Sequence, residues 1–143
     1  MNTHTQSVPS TLDLLFGGYR AHVHGRNLPA PVHVAFDPTD AEIRVQPLGG
    51  LDLARKLGNV LLWAATLAEV NAELTHTTSG RLHVSVHGRG ASGVRFQIYG
   101  GGEFAKCLGL VQLAAGQHEG VSLDELYALV CLLRDGQHER EVA

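Results

Sequence analysis

Gly49-Gly50-Leu51-Asp52-Leu53-Ala54-Arg55-Lys56-Leu57-Gly58-Asn59-Val60-Leu61-Leu62-Trp63-Ala64 lies over Gly100-Gly101-Gly102-Glu103-Phe104-Ala105-Lys106-Cys107-Leu108-Gly109-Leu110-Val111-Gln112-Leu113-Ala114-Ala115. Half of these positions are identical, and Asp/Glu, Leu/Phe and Arg/Lys are conservative pairs. The match runs upstream without a gap, with Ile43-Arg44-Val45-Gln46 over Val94-Arg95-Phe96-Gln97. One extra residue in the second copy then restores Val32-His33-Val34 over Leu82-His83-Val84. A shared period of this kind is read before any local structure, because it sets the architecture. It predicts two copies of a β-β-(β)-α unit, over residues 19–71 and 72–117.

Each copy alternates apolar and polar residues at the period of a half-buried strand. Val32, Val34 and Phe36 point one way, then Pro38-Thr39-Asp40 turns the chain, and Ile43 and Val45 point inward again. Leu82, Val84 and Val86, the turn Gly88 to Gly93, and Val94, Phe96 and Ile98 repeat the scheme. Earlier strands are expected at Tyr19 to His24 and at Glu73 to Thr78. Helices follow the glycines. The first opens at Gly50 or Leu51 and carries Leu53, Leu57, Val60, Ala64 and Leu67 on one face. The second carries Phe104, Cys107, Leu108, Val111 and Ala115. The first is apolar on its other side too, at Leu61, Leu62 and Trp63. A helix apolar on two sides is covered on two sides, by the last helix or by a second subunit.

Outside the repeat, Ser122-Leu123-Asp124-Glu125 is a capping box, a serine N-cap with a glutamate three residues on. It opens an added helix over 122–135, which Asp135-Gly136 is expected to stop. Residues 1–9 and 138–143 are expected to be disordered. The fold class is therefore α+β: one antiparallel sheet of about five or six strands, helices on one face, and a C-terminal helix. All 143 residues form a single domain.

Apolar residues make up 44% of the chain and charged residues 17%, enough for one core. The apolar run Val60 to Ala65 is too short to span a bilayer, so no membrane role is expected. The polar start MNTHTQSVPS does not read as a secretory signal. Cys107 and Cys131 fall in helical apolar patterns and read as reduced thiols of a cytoplasmic protein. Nine arginines against two lysines suit a GC-rich genome.

Strand alternation places a polar set on the sheet face opposite the helices. The candidate binding residues are His33, Arg44, Gln46, His83, Arg95, Gln97 and Tyr99, with Arg20, His22, His24, Ser85 and His87 beside them. His33/His83, Arg44/Arg95 and Gln46/Gln97 are equivalent under the repeat, so a pseudo-twofold axis would make them a symmetric patch. Segments 19–47 and 80–99 hold six arginines against three acidic residues, while the rest holds five basic and eleven acidic residues. A solvated face inherited by both copies explains the same pattern without function.

Three functions compete. A non-enzymatic interaction module, binding a protein partner and self-associating as a homodimer, is ranked first, on the polar face and the surplus apolar surface of the first helix. Nucleic-acid binding by the basic face comes second. Tandem strand-and-helix units occur in nucleic-acid-binding folds, PUR-type repeats among them, but that is an analogy of architecture. Tyr99 is the one aromatic on this face, whereas stacking platforms use two or three. Third is a zinc enzyme liganded by His22, His24 and His33, because two histidines two apart on a strand share a face. No carboxylate or cysteine follows at a diagnostic spacing. The glycine stretches match no phosphate-binding motif, and Asp52 and Glu103 would repel a phosphate.

Overall fold

A computed structural model describes residues 10–50 and 52–142, with side chains through residue 136. The N-terminal stretch 1–9, expected to be disordered, lies outside them. Ser10 caps α1 (Thr11–Val23), its hydroxyl accepting the Asp13 N–H at 3.1 Å. The strand expected from Tyr19 to His24 is instead the second half of this helix. Its alternation was real but short. The helical spacing of Leu15, Gly18 and His22, all buried, wins once the cap is in place.

The hairpin β1 (Pro31–Asp37) and β2 (Glu42–Pro47) follows. Asp52, not Gly50 or Leu51, caps α2 (Leu53–Ala64), accepting the Ala54 N–H at 3.0 Å. Next come β3 (Ala68–His76), β4 (Arg81–Arg89) and β5 (Arg95–Glu103). The second helix expected from the sequence match does not form, so the internal duplication of a strand-and-helix unit is not confirmed by the structure. Gly100, Gly101 and Gly102 extend β5, Phe104–Cys107 makes a single 3-10 turn, and the chain then loops to β6 (His118–Val121). The Ser122 box caps α3 as expected: Ser122 Oγ accepts the Glu125 N–H at 3.0 Å and Glu125 Oε1 accepts the Ser122 N–H at 3.1 Å. That helix, Leu123–Val142, runs past the expected stop at Asp135-Gly136 and into the tail expected to be disordered, whose residue 143 lies outside the described residues. Gly136 stays helical rather than adopting the left-handed conformation that would end it.

Six strands form one sheet in the order β1-β2-β5-β4-β3-β6. All neighbours are antiparallel except β2 and β5, which run parallel because α2 and two strands intervene between them. The fold is α+β. On one face Ile43, Val45, Val84, Val86, Phe96 and Ile98 meet Leu57, Val60 and Trp63 of α2. α3 seals the far side of α2 with Leu126, Leu129, Val130 and Leu133. Trp63 is enclosed, its Nε1–H donating to Pro29 O at 2.9 Å, so the last helix and a loop cover much of the surplus apolar surface. Leu62 stays 57% exposed. Cys107 and Cys131 are both free thiols. Among the described residues no helix is long and apolar enough to cross a membrane.

Candidate functional site

The opposite face of the sheet carries the polar residues in rows fixed by strand register. Ala35, Arg44, Gln97, His87 and Asn71 lie side by side across five strands. Glu42, Arg95 and Arg89 make the adjoining row, Tyr99, Ser85 and Glu73 another, and His33 pairs with Gln46. His83 lies one row further, 6.0 Å from Tyr99 between ring centroids. Burial holds the His83 pKa below its ordinary value, against the opposing pull of Glu73. All seven candidate binding residues thus belong to one face. The repeat pairs are not side by side on it: Arg44 stands opposite Gln97, and Arg95 opposite Glu42, a slip of two residues from the equivalent positions.

Glu42 organises the centre. Its side chain is only 6% exposed, and its carboxylate accepts from Arg44 Nε at 3.3 Å and lies 3.3 Å from His87 Nδ1 and 3.8 Å from Arg95. Arg44 also reaches Asp37 at 2.9 Å and Asp40 at 3.2 Å. A carboxylate only accepts, so His87 Nδ1 carries a proton, and in the neutral imidazole Nε2 accepts. The Ser85 hydroxyl, 3.2 Å from Nε2, is then the donor, and Ser85 Oγ in turn accepts the Gln97 amide at 2.9 Å. The result is one directed chain, Gln97 to Ser85 to His87 to Glu42. Ser85, His87 and Glu42 have the connectivity of a nucleophile, base and orienting carboxylate. Ser85 lies mid-strand, however, paired to Tyr99 on one side and Glu73 on the other, so its backbone is committed to the ladders rather than to an oxyanion. The chain acts as a rigid polar lattice.

Glu42 is not among the seven candidates, although strand alternation already puts it on this face. Arg89 is absent from them because its position reads as part of the turn Gly88 to Gly93, whereas β4 runs through it, and Glu69 and Asn71 are absent because the start of β3 competes with the end of α2. At that start a β-bulge shifts the register between Ala68 and Asn71, and Glu69 adopts φ 54°. Glu69 reaches Arg89 Nε at 3.0 Å. Glu69 and Glu73 thereby bring acid onto a face expected to be basic, and His118 of β6 lies 3.3 Å from Glu73.

Arg20, His22 and His24 leave the face with the strand that did not form. His22 is fully buried on α1, its ring 4.8 Å from that of Phe96. The Thr66 hydroxyl donates to Trp63 O at 2.6 Å, so it accepts from His22 Nε2 at 2.7 Å. His22 Nδ1 accepts the Ala91 N–H at 3.2 Å. Burial, reinforced by Arg26, lowers the His22 pKa. Both ring nitrogens are spent inside the core. His24 ends α1 and His33 is on β1, and no group of three His, Cys, Asp or Glu among the described residues is placed to hold a metal ion.

On the helix side, two adjoining depressions share Arg55, Asn59 and Leu62. One, of about 510 Å³, reaches Leu48. The other, of about 420 Å³, runs between α2 and α3 to Tyr127. No protein-family model, curated protein or solved structure matches the chain.

Proposed function

We propose that this chain is a small interaction module that docks a protein partner on the open face of its sheet. The observation that carries this reading is the lattice around Glu42. Its side chains are held in place before any partner arrives, so binding there loses little further side-chain freedom. Asp37, Asp40, Glu42, Glu69 and Glu73 stand among the arginines of the face and repel a polyanion, which favours a protein partner over nucleic acid. A photo-crosslinking residue at position 99, introduced in the cells that make the protein, should yield a discrete adduct. The same residue at position 132, exposed on α3, should not. Adducts from position 132 alone would sink the assignment.

Self-association belongs to the helix side. Leu48, Leu62 and Tyr127 are exposed beside the two depressions, where a second copy would cover apolar surface. Light scattering after size exclusion should give a dimer, and Leu62→Glu a monomer. A monomer at every concentration would remove this part and leave the sheet-face reading standing. Two free thiols, Cys107 and Cys131, support a cytoplasmic setting.

A further inference from the structure

We propose that the cleft between Arg89 and Arg95 is a carboxylate-binding subsite, through which an acidic side chain of the protein partner docks on the sheet face. This rests on the reading of that face as the docking surface. Arg89 and Arg95 are direct cross-strand partners on β4 and β5. Like charges at paired positions destabilise a sheet, so two guanidiniums facing each other call for an anion. A cavity of about 240 Å³ opens beside them, lined by Glu69, Asn71, His87, Gly88, Arg89 and Arg95. Arg95 has one carboxylate within ion-pair reach among the described residues, Glu42, at 3.8 Å, too far for a hydrogen bond. Its planar donors therefore remain available, and Arg89 spends Nε on Glu69 and one terminal nitrogen on Gly93 O at 3.0 Å, leaving the other. Asn71 adds an amide at the rim.

Glu69 acts as a placeholder. Its left-handed backbone at the bulge aims its carboxylate at Arg89, yet that side chain is 74% exposed and the ion pair is screened by water. An incoming carboxylate that engages both arginines replaces one exposed contact with a two-pronged, charge-assisted set. Behind the site, the Glu42 carboxylate lies 3.3 Å from His87 Nδ1 and leaves Arg95, 3.8 Å away, without a hydrogen bond to it. A single carboxylate fits this arrangement. A run of phosphates would meet Glu73 and the Asp37–Asp40 turn on the same face.

The probe is an eight-residue Gly/Ser peptide with one central glutamate, read by the side-chain Nε–Hε signals of the arginines in a nitrogen-15 NMR titration. The same peptide with glutamine at that place and an eight-nucleotide thymidine strand serve as comparisons. The glutamate peptide should move the Arg89 and Arg95 signals saturably and the glutamine peptide should not. Arg95→Gln should weaken binding about tenfold. Glu69→Gln should tighten it severalfold, a gain that no loss of folding can imitate. Unmoved arginine signals at millimolar glutamate peptide, or weaker binding in Glu69→Gln, would overturn the subsite. Tighter binding of the thymidine strand would overturn it in favour of nucleic acid. If the glutamate peptide fails while the position-99 crosslinks persist, only the subsite falls. If both fail, the sheet-face reading falls with it.

Discussion

From Asp52 to Ala65 the chain winds into α2; from Glu103 to Gly116 the matching residues make one 3-10 turn and then a loop. The glycines ahead of them diverge too. Gly49 and Gly50 form a connection, with Gly50 at φ 61°, whereas Gly100 to Gly102 continue a strand. The reason lies in what each copy touches. A Cβ at Gly100 would come within 3.1 Å of Val60, and one at Gly102 within 3.2 Å of Leu53. The second set of glycines is the floor on which the first helix lies. With β2 and β5 adjacent and parallel, that stretch of sheet holds one helix, and α2 occupies it. A short amphipathic segment without a surface to pack on gains too little from its own hydrogen bonds to stay helical.

Leu57 and Leu108 lie over one another in the sequence match, and substituting each to alanine is the strongest way to break the comparison. Leu57 is 0% exposed under α2, and Leu108 is 69% exposed. Leu57→Ala should cost about 2–5 kcal/mol, and Leu108→Ala should stay within about 0.5 kcal/mol. Urea denaturation of both variants gives the two values. Comparable losses would mean that the second copy also packs as a helix.

The strands of each hairpin were legible because period-2 alternation depends on the residues alone: Ile43 and Val45, Val84 and Val86, and Phe96 and Ile98 are all core. The cap of α3 was legible for the same reason, since Ser122 and Glu125 satisfy each other within one turn. What could not be read depends on distant partners. The segment at Tyr19 alternates well enough for a strand, and it becomes helix because Phe36, Phe96 and Thr66 receive its other face. The seven face residues were found by alternation. The network was not, because Glu42, His87 and Arg95 meet only through the parallel β2–β5 pairing, which the repeat did not imply. Glu69 needed the bulge, and no local signal announces one there.

The two hairpin turns differ in how they are held, and acid should separate them. Asp37 ties the first turn, and its carboxyl titrates below the ordinary range because the Asp40 and Thr39 N–H groups and Arg44 favour its charge. That stabilisation is present above the ordinary carboxyl range and is lost as pH falls through the lowered value. The second turn is tied through Ala91 to neutral His22. The lowered His22 pKa means that, below about pH 6.5, the unfolded chain binds a proton the folded chain does not. Stability should therefore fall from pH 7 to pH 5, well before Asp37 contributes. His22→Gln should lose about 1–3 kcal/mol at pH 8 by disturbing a buried hydrogen-bonded group, and should flatten this slope. An unchanged slope in that variant would assign the acid sensitivity elsewhere.

The finest distinction falls on Gly58 and Gly109, which lie over one another in the match of residues 49–64 with 100–115. Gly58 sits inside α2, facing α3, where an added Cβ would meet the end of the Arg134 side chain at 3.0 Å and nothing else closer than Val130 at 3.9 Å. That arginine can swing away, so Gly58→Ala gains helix propensity and should stabilise by up to about 1 kcal/mol. Gly109 has open space around it but sits at φ 83°, where an L side chain strains the backbone. Gly109→Ala should therefore destabilise by about 1–2 kcal/mol. Opposite signs in thermal unfolding are the expected outcome, and they come from one substitution at one repeat position. Stabilisation by both would place Gly109 in a helix in solution and return the second copy to the structure its sequence shares with the first.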